Sequence, residues 1–321
     1  RRGCWYRLGM DVPTTYDEFI EMLTRFKNEI PECTAPYTAP GLKSTQALPE
    51  FYQGATADYV KVDGKWVDGM AQDNMLTALQ NLQDAYTAGL IDQEAITNTT
   101  SSCRDEWYAG TVGCFPYWGG LWGETLTVRL KQNVPDAEVI ALPPIEGATY
   151  LYSAPSVQVI SSKLSDEQVA SVYKYFIEYM HDGGEGQVLF QSGVEGVHWQ
   201  QSGNNIDPLP TISKPAEAFR KAWITPWLAL TPMTATDKNV EVSQEVTDSL
   251  AVVSANAKNI SVFPVSEQRT MITSDLTTTR ENIISRVAMG QLTPEEGMAE
   301  YKAQAETLNV AQALEEMNAN A

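Results

Sequence analysis

The chain has 321 residues, with 22 Lys and Arg against 41 Asp and Glu, a net charge of −19 at pH 7. That length fits about two domains, each able to bury a core. Apolar residues make up 43% and charged residues 20%, the balance of a folded chain. The acidity argues against a nucleic-acid partner, which needs a basic stripe to displace counterions, and against electrostatic docking on anionic lipid. Eight Trp and 14 Tyr are a rich supply of flat, rigid rings, suited to stacking against a neutral ligand or to filling a core.

In chain order, Thr15-Tyr16-Asp17-Glu18 is a capping box, and Phe19, Met22, Leu23, Phe26 and Ile30 follow at helical spacing until Pro31 stops the run. Asp63-Gly64 between Tyr59-Val60-Lys61-Val62 and Lys65-Trp66-Val67 predicts a β-hairpin. A second helix is predicted from about Asp73, lined by Leu76, Leu79, Leu82 and Tyr86 and ended by Gly89. Residues 112–117 read as a buried strand running into an aromatic, glycine-bearing turn, Trp118-Gly119-Gly120-Leu121-Trp122. Residues 139–142 and 157–160 are expected to be short strands. Ser165-Asp166-Glu167-Gln168 is another capping box, and Val169, Val172, Tyr173, Phe176, Ile177 and Met180 form a stripe expected to face the core. Residues 183–240 read as irregular and hold Trp199, Trp223 and Trp227. A helix over 276–288 and a last one opened by Thr293-Pro294-Glu295-Glu296 close the chain. Strands alternating with helices give an α/β class.

Common catalytic signatures are missing from the sequence. His181 and His198 are the two histidines, and neither lies in a zinc-binding or metalloprotease spacing. There is no nucleophile elbow, P-loop or dinucleotide fingerprint. No metal or cofactor is expected. The cysteines Cys4, Cys33, Cys103 and Cys114 are too widely spaced for a CxxC motif; pairs Cys103–Cys114 and Cys4–Cys33 and unbridged thiols all remain compatible with the spacing. Abundant Asp and Glu leave open a hydrolase with paired carboxylates.

Six stretches resemble the bacterial extracellular solute-binding proteins of family 1, which serve carbohydrate ABC transporters and have the type II periplasmic-binding-protein fold. They are Leu8 to Phe19, Leu79 to Asp92 ending Ala88-Gly89-Leu90-Ile91-Asp92, and Trp107 to Gly113. The others are Leu142 to Gly147, Gly193-Val194-Glu195-Gly196-Val197-His198-Trp199, and the carboxy-terminal helix pair around Gly290. The resemblance implies an α/β fold of two lobes joined by crossing strands. On that pattern 1–155 with 262–321 form the second lobe, and 156–261 form crossovers and what is present of an incomplete first lobe. It implies a non-enzymatic protein that binds an oligosaccharide or sugar derivative, probed by ring stacking. Delivery would be to the permease subunits of an importer, from a monomeric lipoprotein or periplasmic protein outside the cytoplasm. A non-sugar solute such as a peptide is the other binding class. The positions matching the family's sugar-facing aromatics are Tyr117, Trp118 and Trp122. Gly119 and Gly120 would bring backbone close to ligand. Glu195 on its glycine-flanked loop is a candidate acceptor for sugar hydroxyls, Trp199 a further stacking residue, and Tyr59 a rim residue. Trp223 and Trp227 read mainly as packing, and Trp5 and Trp107 as structural.

Overall fold

The computed structural model describes residues 8–44, 46–152, 158–209, 233–239, 241–260 and 262–321. Cys4, Trp5, Val157, Trp223 and Trp227 lie outside them. The chain divides into two compact units, Arg1–Ala154 with Gln244–Ala321, and Pro155–Ser243. Residues 244–260 therefore pack with the larger unit, whereas the sequence reading groups them with the smaller one.

In the larger unit, helix α1 (Tyr16–Glu29) starts at the expected capping box: Thr15 accepts from the Glu18 amide, and the Glu18 carboxylate accepts from the Thr15 amide. Its buried face, Phe19, Met22, Leu23 and Phe26, rests on strand β1 (Ala35–Tyr37) and the short helix α2 (Pro49–Tyr52). Phe19, Tyr37 and Phe51 meet edge to face with centroids 5.1–5.9 Å apart, the favoured geometry for ring quadrupoles. Strands β2 (Tyr59–Val62) and β3 (Lys65–Asp68) form the predicted hairpin. Asp63 and Gly64 both take positive φ, 49° and 81°, as a type I′ turn demands. Helix α3 (Asn74–Thr87) ends as expected with Gly89 at φ 66°. Helix α4 (Thr100–Ala109) precedes strand β4 (Val112–Cys114), and α5 (Leu121–Asn133) follows it.

Strand β4 pairs in parallel with β1, Ala35 opposite Val112 and Tyr37 opposite Cys114. Ile91 bridges Tyr37, also in parallel. Residues 139–142 form no strand. A two-residue parallel pair joins β5 (Leu151–Tyr152) to β8 (Lys258–Asn259), which follows helix α8 (Gln244–Asn256). Helices α9 (Glu267–Ala288), α10 (Pro294–Thr307) and α11 (Val310–Ala319) complete the unit. The α9 helix begins nine residues earlier than the apolar pattern suggests, capped by Ser266. Asn318 clamps β3 by bonding both the amide and the carbonyl of Trp66.

Two buried polar networks hold this core. Arg280 on α9 donates to Asp68 at 2.7 Å and to Asp58 at 3.2 Å, and the Tyr301 hydroxyl donates to Asp68 at 2.6 Å. The second centres on Glu50. Tyr37 Oη lies 2.9 Å from both the Ala47 carbonyl and Glu50 Oε2, and Tyr150 donates to Glu50 Oε1 at 2.9 Å. One phenolic hydrogen cannot serve two acceptors, so a protonated Glu50 donating to Tyr37 satisfies the set. Burial indeed pushes the Glu50 carboxyl above its usual range.

In the smaller unit, α6 (Asp166–Val172) starts at the expected Ser165 box and runs into a π-helical segment, Tyr173–Glu178. The stripe over 169–180 is not core. No residue of 166–178 is buried, and Val172, Tyr173 and Phe176 are exposed; only Met180 is buried, while Val169 and Ile177 are half-buried. Tyr175 and Tyr179 are exposed as well, so no face of the segment is covered among the described residues; apolar spacing marks a core face only where other chain packs on it. The segment read as irregular holds helix α7 (Glu185–Ser192) and an antiparallel hairpin, β6 (Trp199–Ser202) with β7 (Asn205–Pro208). Val188, Trp199 and Ile206 form its small core.

Removing the shared acceptor in the first network by Asp68→Ala leaves the buried guanidinium with the exposed Asp58 as its remaining carboxylate and the Tyr301 hydroxyl without its acceptor, and should cost about 2–4 kcal/mol in chemical denaturation. For Glu50, the folded-state pKa lies above the unfolded value near ~4.3, so its contribution is fullest at low pH and is lost as pH rises through the raised value. Glu50→Gln keeps a donor and an acceptor without a titrating group. Its melting temperature should match or fall slightly below wild type at pH 4 and exceed it at pH 8, and an unchanged difference would contradict a neutral Glu50.

Candidate functional site

Strands β1 and β4 and the bridge at Ile91 run in parallel, so their carboxyl ends open on one edge: Thr38, Asp92 and Phe115 follow them directly. In open parallel sheets that edge is where ligands collect. Gly113 makes the strand approach possible. A Cβ there would lie 2.6 Å from Phe26 Cδ2 and 2.9 Å from the Pro36 carbonyl oxygen.

The chain leaving β4 builds an aromatic ledge. Phe115 stacks on Tyr117 at 4.9 Å and 28°, and Tyr117 meets Trp122 edge to face at 4.9 Å and 84°. Beneath them, Trp107 donates its indole N–H to the Leu126 carbonyl, so its structural reading agrees with its place. Arg104, on α4, lies over both Trp122 at 5.3 Å and Tyr117 at 6.0 Å, and donates to the Tyr117 hydroxyl at 3.1 Å. Trp118 stands apart from this stack with 58% of its surface exposed. Gly120, at φ 69°, starts α5 and donates its amide to Ser249 Oγ on α8 at 2.8 Å. A Cβ on Gly119 would press on Val253 at 3.0 Å. In this structure the two glycines thus accommodate a neighbouring helix.

Behind the ledge lies a polar cluster. Thr38 Oγ1 is 3.0 Å from Asp92 Oδ2 and 2.9 Å from Glu106 Oε2, and Asn98 Nδ2 donates to Asp92 at 2.6 Å. Burial raises the Glu106 carboxyl pKa, with the neighbouring Asp92 charge adding to it. These side chains tie the start of α4 to the ends of the strands. Burial also pushes the Cys103 thiol up to about 11 and the Cys114 thiol up to about 12, where neither is a ready nucleophile. They are not bonded to each other. Among the described residues no group of three His, Cys, Asp or Glu side chains is placed to hold a metal ion, and no helix is long and apolar enough to cross a membrane.

The other sequence candidates do not join the ledge. Tyr59 is 7% exposed and packs against Phe263 in the hairpin core, with Arg280 over its ring. Glu195 and Trp199 belong to the smaller unit. Glu195 is exposed and bridges to Trp199, whose ring is 3% exposed and whose indole N–H donates to the Gly193 carbonyl. His198 Nδ1 accepts from the Val194 amide, fixing the same loop. Arg104, Ser249, Thr38 and Glu106 were not singled out by the sequence. Asp92 lay in a noted motif, at the end of Ala88-Gly89-Leu90-Ile91-Asp92.

Solved structures that share this architecture include several solute-binding proteins. An alginate-binding protein superposes over 100% of this chain and 70% of its own, with a TM-score of 0.69 and 17% identity. A solute-binding protein of Bifidobacterium longum infantis, titled as binding HMO, gives 0.66 at 16% identity, covering 98% of this chain and 71% of its own. The N-glycan transport solute-binding protein of Streptococcus pneumoniae gives 0.63 at 16% identity, covering 100% and 70%. This chain has the solute-binding-protein fold. Among curated proteins, the lipoprotein LipO of Bacillus subtilis is 21% identical over 217 residues, 62% of this chain. That match spans 43% of LipO, less than half its length. No protein-family model matches the chain.

Gly113→Ala should drive β4 away from β1 and Phe26, lowering stability by about 1–3 kcal/mol. The near-ultraviolet circular dichroism of the ledge should weaken with it, and an unchanged aromatic signal would show that the ledge does not depend on this strand contact.

Proposed function

We propose that the protein binds a carbohydrate, without turning it over, and hands it to an ABC importer. The observation that carries this reading is Trp118: a large ring, more than half exposed, on a turn held by Arg104, Tyr117, Trp122 and Ser249 at the carboxyl edge of a parallel strand pair. An exposed Trp is costly to leave in water, but a pyranose offers an apolar C–H face of matching size. A rigid ring loses little entropy on engaging it. The structural neighbours support the class of ligand, since their titles name alginate, HMO and N-glycan. They also support the transport role, and with LipO a place outside the cytoplasm, on a lipid anchor or in the periplasm.

Within this reading Trp118 is the stacking face. Trp122 and Tyr117 are its support, because Arg104 and each other's rings already occupy part of their surfaces. Glu195, in the smaller unit, is exposed on a loop braced by His198 and Trp199 and stands as a candidate hydroxyl acceptor of that unit by itself. Trp199 and Tyr59, both buried, are assigned supporting roles only.

A panel of neutral and acidic oligosaccharides should give saturable thermal shifts and a change in Trp fluorescence, with no release of reducing ends. Trp118→Ala should weaken binding of the best ligand about 10- to 100-fold, in line with loss of a central aromatic anchor. No shift with any glycan, together with a silent Trp118→Ala, would sink the assignment.

A further inference from the structure

Arg104 is out of keeping with its surroundings. It is half-buried, lies over two aromatic rings, and gives one N–H to Tyr117 Oη at 3.1 Å and another to Ser101 Oγ at 3.0 Å. Both acceptors are neutral. The chain carries 41 carboxylate side chains against 22 Lys and Arg, yet Arg104 makes no ion pair with any carboxylate among the described residues. The buried Arg280, by contrast, has Asp68 and Asp58. Glu106, two positions along the same helix, is engaged by Thr38 and Asn98.

A partly desolvated guanidinium is favoured when an anion completes it, and ring faces compensate only in part. Its five N–H groups form a planar fork, of which two are used here, leaving donors for a bidentate partner. The same side chain touches the support of the exposed Trp118, through Tyr117 and Trp122.

We propose that Arg104 is a ligand-binding residue that selects an acidic sugar, one bearing a carboxylate or sulfate group, beside the ring stacked on Trp118. This rests on the carbohydrate reading above. The net charge of −19 does not oppose it at contact range, because charges beyond about 8 Å are screened at physiological ionic strength. The overall field slows the encounter, while the local cation holds the bound anion.

The test uses calorimetry on the 321-residue chain with tetragalacturonate and a hyaluronan tetrasaccharide, each beside its carboxyl-reduced neutral counterpart, and with a carboxyl-reduced chondroitin sulfate tetrasaccharide beside the same tetrasaccharide desulfated to a neutral form. At least one acidic glycan should bind about 10- to 100-fold more tightly than its neutral counterpart, as expected for hydrogen bonds to a charged group. That preference should shrink as salt rises. The uronate and sulfate arms identify which anion is taken. Arg104→Gln should erase the preference, weakening acidic glycans more than their neutral counterparts, while Arg104→Lys keeps part of it. Thermal melts of both variants report whether the ledge still folds. Equal affinity for acidic and neutral glycans overturns the proposal, as does an Arg104→Gln loss that is the same for both; in either case the carbohydrate reading stands and Arg104 only props the rings. Failure of every glycan to bind, with Trp118→Ala silent, removes both.

Discussion

The contact between strand 112–114 and strand 35–37 is the constraint from which the candidate site follows. Two parallel strands must bond in register while the first also rests on helix 16–29, and the space left at position 113 admits no side chain. A parallel pair cannot be closed by a tight turn. The intervening chain therefore leaves the sheet and returns through helices, and whatever follows the second strand emerges at the same edge as whatever follows the first. Thr38 and Phe115 become neighbours of one edge for that reason, though far apart in sequence. The aromatic ledge is the immediate continuation of this strand, so its position is inherited from the pairing.

The larger unit supplies a stiff frame for that edge. Glu50 links Tyr37 on the first strand to Tyr150, and Arg280 links the long carboxy-terminal helix to the hairpin strand through Asp68. Buried polar groups of this kind add little net energy against apolar replacements, but they are costly to leave half-made. They fix one arrangement out of many that an apolar core alone would permit. Among the described residues of the smaller unit, Val188, Trp199 and Ile206 form a buried cluster, and the helix over 166–178 buries no side chain.

On the ledge, three aromatics that look equivalent in sequence acquire different tasks. Tyr117 and Trp122 are committed to one another and to Arg104, whereas Trp118 keeps its face in water. Gly120 is needed because the backbone turns through positive φ into helix 121–133, and Gly119 because helix 244–256 passes close by. A site built this way holds its backbone: moving the turn that carries the exposed ring breaks the Gly120–Ser249 bond and disturbs the stack beneath Arg104. Such preorganisation favours binding, since little has to be ordered when the ligand arrives.

The sequence by itself determined the features whose physics is local. The boxes at Thr15, Ser165 and Thr293, the Asp63-Gly64 hairpin and the stop at Gly89 all depend on residues within a few positions, where a hydroxyl reaches an amide or a glycine relieves a Cβ. The aromatic turn was legible as a cluster for the same reason. Tertiary structure decided the rest. Residues 139–142 have strand-like composition but form no strand, and the stripe over 169–180 is left uncovered up to Met180. Which ring is exposed, and that Arg104 covers the others, depends on helix 100–109 crossing the ledge; that Ser249 anchors the turn depends on a contact 129 residues distant. Sequence spacing sets what a residue can do with its neighbours along the chain, while packing between distant elements sets which of its surfaces are left for a ligand.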